Sequence, residues 1–388
     1  MCLDGQKPSF RQAEIVTKFA VRQKGMVIKM KIVICDSDKL YLKRISSAFE
    51  EFYADKADVS VYSDGEKMQA DLKDKVVDIL IISENMADKV MQDSLEFEAN
   101  LIMYFSDDTQ TTAICDSKAI CKFQQIDTLF EAVTGEYSQV NKFLPVSDEN
   151  KEPAKIFTFV CAAGGSGAST AAAGFARHLA QMEKKTLFVS LEKLNSTAFF
   201  MKDEVNSGLT EAIEAVKDSK RNVSMKLSKC ISTDNSGVNF IAPCKCVLDI
   251  QNAAAEDLSA LMNAISKMNF DFIVVDTDMT FDEKATALFE KSAKVFLITD
   301  ATPMSNKKTT DAVEVIRLID SQKNTNNAEK LAVIYNKYSD TTSVTIENMK
   351  ITINGAIPYF ATCKTPSDVS QKISGMAMWN NVVKTSVQ

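Results

Sequence analysis

The stretch Val160-Cys161-Ala162-Ala163-Gly164-Gly165-Ser166-Gly167-Ala168-Ser169-Thr170 has the residue types and spacing of a phosphate cradle. Closely spaced glycines let a backbone curl until successive N–H groups point inward at an anion. The apolar run Ile156–Val160 before it reads as a buried strand, and the Ala-rich stretch Thr170–Met182 after it as a helix. A helix N-terminus at that point adds its partial positive charge. Ser169 and Thr170 stand where such a loop carries its Mg2+-binding hydroxyl. A lysine ordinarily precedes that hydroxyl, and here the residue is Ala168. The cradle lacks its point charge.

Further along, the apolar run Phe272–Val275 ends at Asp276. A carboxylate at a strand end behind a Gly-rich loop can hold Mg2+ through water. Other chemistries are poorly supplied. The chain has one histidine, His178, which argues against a Ser-His-Asp or Cys-His mechanism. Its nine cysteines are scattered, with Cys244-Lys245-Cys246 the closest pair, so reduced thiols rather than zinc ligands are expected.

The elements that must position these residues follow from periodicity. Five apolar strands (Lys31–Cys35, Val59–Tyr62, Val77–Ile82, Leu101–Phe105 and Ala119–Lys122) alternate with helical segments at Leu40–Tyr53, Glu66–Leu72 and Ile126–Tyr137. That alternation predicts a doubly wound parallel sheet. Residues 141–153 are polar and bracketed by Pro145 and Pro153, which marks a linker. Beyond it, strands at Thr186–Leu191, Val238–Ala242, Phe272–Val275, Val295–Ile298 and Leu331–Tyr335 are interleaved with helices at Leu209–Val216 and Ala253–Met268. Val- and Ile-rich runs of this kind predict a second parallel sheet covered on both faces. The expected organisation is a tail at 1–29, a first α/β domain at 30–140, the linker 141–153 and a second α/β domain at 154–388.

Composition bounds the partners. Charged residues make up 25% of the 388 and hydrophobic ones 45%, as in an ordinary soluble protein. A net charge of −7 argues against broad nucleic-acid binding. No apolar run approaches the roughly 20 residues that span a bilayer. In the terminal stretch Val369–Val387, Ile373, Met376, Met378, Trp379, Val382 and Val383 are accompanied by only Lys372 and Lys384. That pattern is expected of a packed final helix rather than a membrane-surface one.

The first domain resembles a response-regulator receiver of the flavodoxin-like class. Asp36 keeps one acid of the family's pair, with Ser37 replacing the next, and Ser106 and Lys122 match the ends of strands four and five. Ser83 stands at the phosphoacceptor position, and Phe123 replaces the proline that usually follows the lysine. A serine hydroxyl cannot form an acyl phosphate and brings no charge for Mg2+. A pseudo-receiver used for docking is expected, with Asp36 and Lys122 as a structural ion pair.

The second domain resembles the MinD/ParA group of deviant P-loop ATPases, and the pairing of domains resembles the TadZ/CpaE proteins of Flp/Tad-type pilus assembly. The resemblance implies ATP and Mg2+ as cofactors. It implies that Gly164, Gly165, Ser166, Gly167 and Ala168 wrap the phosphates, that Ser169 ligates Mg2+ and that Thr170 contacts the α-phosphate. Asp276 becomes the Walker B acid and Glu192 the residue positioning the attacking water, while Ser190 replaces a second acid. Asn336 and the segment at Pro358 match positions that contact adenine. Ala163 and Ala168 replace both family lysines, which implies ATP binding with weak or absent hydrolysis. A homodimer is implied, with other pilus-assembly proteins such as the secretion ATPase as partners. A cytoplasmic location follows, at the pole or inner membrane face through those partners. The alternative is an active ATPase cycling on a surface with a substitute lysine, for which Lys307 and Lys308, read as lying in a loop, are the candidates.

Overall fold

The strand Met30–Cys35 (β1) is buried from Ile32 to Cys35 without alternation, the pattern of a strand covered on both faces. It starts the first of two units, which divide between Asn141 and Lys142. The structure, a computed structural model, describes residues 29–92, 95–115, 117–141, 152–202, 207–217, 223–347 and 350–387. The expected tail and linker lie outside the described residues, except at their ends (29, 141 and 152–153).

The first unit continues through α1 (Lys39–Phe52), β2 (Ala57–Tyr62), α2 (Gly65–Leu72), β3 (Val76–Ser83), α3 (Glu84–Gln92), β4 (Glu98–Ser106), β5 (Ala113–Ile114), β6 (Ser117–Cys121) and α4 (Ile126–Asn141). Asp38 and Asp64 cap α1 and α2, their carboxylates accepting first-turn N–H groups at Leu40, Tyr41, Glu66 and Lys67. The sheet order is β2-β1-β3-β4-β6-β5, parallel except for the antiparallel β5–β6 pair at its edge. Omitting β5, this is the flavodoxin-like doubly wound order. The helix α3 and the strand β5 have no counterpart in the sequence reading.

The second unit begins with β7 (Lys155–Val160), α5 (Ala168–Gln181), β8 (Thr186–Ser190), α6 (Leu209–Lys217), α7 (Val223–Lys229), β9 (Ile231–Thr233), β10 (Asn239–Ile241), α8 (Val247–Asn252) and α9 (Ala255–Ser266). It ends with β11 (Phe272–Asp276), α10 (Glu283–Lys291), β12 (Lys294–Thr299), α11 (Pro303–Lys323), β13 (Leu331–Tyr338), β14 (Thr352–Pro358), α12 (Pro366–Ser374) and α13 (Met378–Val387). The sheet order is β14-β13-β12-β7-β11-β8-β10-β9, antiparallel only between β10 and β9. With β7 between β11 and β12, the C-terminal ends of β8, β11, β7, β12 and β13 share one edge, where open α/β sheets bind ligands.

Two aspects differ from expectation. Lys307 and Lys308 lie not in a loop but on α11, the helix started by Thr302 as N-cap and Pro303 in its first turn. The stretch Val369–Val387 forms parts of two helices rather than one, but it is packed as expected, with Ile373, Trp379, Val382 and Val383 buried in the core. Trp379 packs against Phe159, Phe175 and Phe296, and its indole N–H donates to the Ile373 carbonyl at 2.9 Å. Among the described residues no helix is long and apolar enough to cross a membrane.

Candidate functional site

The loop between β7 and α5 holds Gly164 and Gly165 exposed, Ser166 buried and Ala168 buried at the first position of the helix. Gly165 and Gly167 have φ of +81° and +88°. At Gly167 the need for glycine is twofold, because a Cβ would also lie 2.3 Å from Asn336 Nδ2. Ser166 Oγ donates to the Ala163 carbonyl at 2.8 Å, closing the loop on itself. Nothing lies within 4 Å of the Cβ positions of Gly164 and Gly165, so the outer part of the loop is open.

Parallel pairing then brings the acids to the loop. Asp276 is in register with Phe159 on β7 and with Ser190 on β8. Two residues beyond Ser190, the Glu192 carboxylate accepts from Ser169 Oγ at 3.0 Å and from Ser196 Oγ at 2.8 Å. The Ser190 hydroxyl is more distant, 3.5 Å from Glu192 Oε2. Asp276 is 1% exposed, and neither of its carboxylate oxygens has a hydrogen-bond partner. Burial first, then the negative charge of Glu192, pushes the Asp276 carboxyl well above the usual carboxylate range. The same surroundings act on Cys161, whose thiol is raised by burial and by the field of Asp276. Two acids face a hydroxyl at a helix N-terminus, one of them buried and unpartnered. That donor set suits a hard divalent cation held beside a phosphate. Ser169 and Asp276 therefore fit Mg2+, with Glu192 hydrogen-bonded to Ser169 beside them, and residues 163–170 fit a phosphate chain.

At the far side, Asn336 is buried and its Nδ2 donates to the Ser166 carbonyl at 2.7 Å. Its amide thus braces the loop. Pro358 is exposed at the end of β14, in register with Tyr338. Thr170 lies in the first turn of α5, half-buried. A buried hydroxyl chain backs the loop: Thr299 Oγ1 donates to Ser305 Oγ at 2.9 Å, and Ser305 Oγ lies 3.3 Å from Ser166 Oγ. Sequence reasoning missed Ser196, Ser305 and Lys337, whose Nζ donates to the Gly165 carbonyl at 2.7 Å. No spacing rule relates these positions to the loop. Of the two lysines considered as substitutes, Lys307 is exposed and pairs with Asp311 on its own helix, and Lys308 is exposed on the same helix.

In the first unit the strand-end residues also converge, but on a different chemistry. Asp36 is fully buried, with Lys122 Nζ 3.6 Å from its Oδ2 and 2.8 Å from Asp107 Oδ1. Burial alone would lower the Lys122 pKa, yet the hydrogen bond and charge of Asp107 and Asp36 raise it. Ser83 Oγ donates to Asn85 Oδ1 at 2.6 Å, and Asn85 Nδ2 to Ser37 Oγ at 3.0 Å. Ser106 Oγ donates to Glu84 Oε2 at 2.9 Å. The phosphoacceptor position is filled by neutral, mutually bonded groups, and its buried acid is already paired with Lys122. Among the described residues no cluster of three or more His, Cys, Asp or Glu could hold a metal ion.

Comparison with known proteins agrees with both folds. Residues 28–138 match the family of TadZ-like receiver domains. The second unit is similar in fold to a ParA family ATPase from Chlorobium tepidum, at 19% identity and a TM-score of 0.50, over 61% of this chain and 99% of that one. Also similar are the septum site-determining protein MinD of Pyrococcus horikoshii in complex with Mg-ADP (17% identity, 57% and 94% covered, TM-score 0.42) and a Cyanothece McdA(D38A)–ATP complex (15%, 61% and 97%, TM-score 0.47). No curated protein sequence matches the chain. The second unit therefore has the fold of a ParA family ATPase. It follows a domain that matches TadZ-like receiver domains.

Proposed function

We propose that this protein is an ATP-binding, dimerising scaffold that helps place a Flp/Tad-type pilus assembly machine, with weak or absent ATP hydrolysis and no receiver phosphorylation. The observation that carries the reading is the buried, unpartnered carboxylate of Asp276 beside the Ser169–Glu192 pair. A buried acid without a counter-charge is costly, and a bound cation removes that cost. Ser169 and Asp276 would hold Mg2+, and the backbone from Gly164 to Thr170 would hold the phosphates. Asn336 and Pro358 would contact the adenine. Bound there, Mg2+ would neutralise part of the phosphate charge.

Glu192 is the residue to orient a water, since its carboxylate is held by Ser169 and Ser196. Hydrolysis is weak in this reading because Ala163 and Ala168 bring no charge to the developing transition state, on which phosphoryl transfer depends. The protein would act in the cytoplasm as a dimer, reach the membrane only through partners and bind no nucleic acid. The TadZ-like receiver domain supports the pilus connection, and the Ser83–Asn85–Ser37 network supports a docking rather than a phosphotransfer role.

The test is a calorimetric titration of Mg-ATP into the full chain, with phosphate release and sedimentation followed on the same sample. Binding and dimerisation without appreciable release are expected. Full ATP-dependent dimerisation of Asp276→Ala and Ser169→Ala would overturn the reading.

A further inference from the structure

The proposed site holds two acids and would hold a polyphosphate, yet residues 163–170 contain no cation. One enters from elsewhere in the fold. Lys337, at the end of β13, donates from Nζ to the Gly165 carbonyl at 2.7 Å. Its neighbour Asn336 donates to the next carbonyl of the loop, that of Ser166. Consecutive residues of one strand thus grip consecutive carbonyls of the cradle.

The backbone is shaped for this. Lys337 has φ of +54°, an uncommon conformation for a residue with a side chain, and it falls where the β13–β14 pairing shifts register between Tyr335 and Tyr338. The lysine is exposed and its ammonium carries three donors, of which the Gly165 carbonyl takes one. The space over Gly164 and Gly165 is open. Lys307, by contrast, already pairs with Asp311 on its own helix.

We propose that Lys337 is the cation that holds bound nucleotide in its ground state, reaching the phosphates from β13, while the transition-state charge missing at Ala163 and Ala168 is not restored. This rests on the nucleotide reading and deepens it. A flexible side chain anchored on the loop's own backbone needs only a change of rotamer to exchange a carbonyl for a phosphate oxygen, which is the stronger, charge-assisted partner.

The test is calorimetry of Mg-ATP with wild type, Lys337→Met and Lys337→Arg, as full chains, at low and moderate salt. Lys337→Met is expected to weaken Mg-ATP at least about tenfold and Lys337→Arg to restore most of it. The affinity of wild type should also fall more steeply with salt than that of the Met variant, because an exposed charge pair is screened and mere loop packing is not. Wild-type affinity and salt dependence in Lys337→Met would overturn the role of the lysine. Loss of affinity with an unchanged salt slope and no rescue by Arg would reduce Lys337 to a loop brace and overturn it as well. Wild type that binds no Mg-ATP would sink the nucleotide reading itself, a result distinct from the other two.

Discussion

Asp276 shows how a single side chain carries the argument. Its neighbours in register, Phe159 and Ser190, are core-facing strand residues, so the strand that places the acid at the loop also buries it. Because the Asp276 pKa is raised in the folded state, the folded protein holds a proton that the unfolded chain releases above about pH 4. Stability without Mg2+ should therefore decline as pH rises from that point until the folded-state pKa is passed. Asp276→Asn removes the effect. In thermal melts without Mg2+ or nucleotide, the variant should match wild type near pH 4 and exceed it by several degrees at neutral pH. A pH-independent difference would assign it to packing instead. The loop and Asp276 were legible because their signals are local: glycines, hydroxyls and a strand ending in an acid. The bond from Lys337 to Gly165 was not, since the two residues are far apart in sequence and meet only through the ordering of β7, β12 and β13.

At the scale of elements, α5 is the pivot between the loop and the C-terminal helices. Gly174 lets it approach α12 so closely that an added Cβ would lie 2.4 Å from Ile373 Cγ2 and 3.1 Å from the Ser370 carbonyl. Arg177, one turn on, donates to the Ser367 and Phe200 carbonyls and ties α12 to the segment following Glu192. Gly174→Ala gains about 1 kcal/mol of helix propensity but overpacks a fully buried contact, an effect of about 1–3 kcal/mol. The sum should favour destabilisation, read as a lower melting temperature with a weaker Mg-ATP response. A variant more stable than wild type would mean that Ile373 gives way freely. Strands were legible here because their apolar runs are short and bounded. The 21-residue α11 was not recognised, although Thr302-Pro303 is a start signal, because its buried positions are mixed with polar ones such as Ser305, Asn306 and Thr309. In the first unit α3 was missed for a similar reason, since Asp88 and Lys89 separate its buried Met86 and Ala87 from Val90.

At the scale of the molecule, each unit has its own sheet and hydrophobic core, and each gathers polar residues at its strand ends for opposite purposes. In the first, Lys122 neutralises Asp36 and hydroxyls saturate the place of the phosphoacceptor. In the second, an acid is left without a partner. A ligand that binds the folded state alone stabilises it by mass action, by about 2.7 kcal/mol at a hundred times its Kd. For a unit of this size that is a rise of roughly 5–10 °C in melting temperature. Calorimetric scans of the full chain should show two transitions, with Mg-ATP raising one of them and Asp276→Ala abolishing the rise. Acetyl phosphate with Mg2+ should leave both unmoved, because Ser83 cannot form an acyl phosphate. A rise on acetyl phosphate would show that the first unit binds or accepts a phosphoryl group. The asymmetry between a filled site and a waiting one would then be lost, and with it the case for a scaffold switched by nucleotide alone.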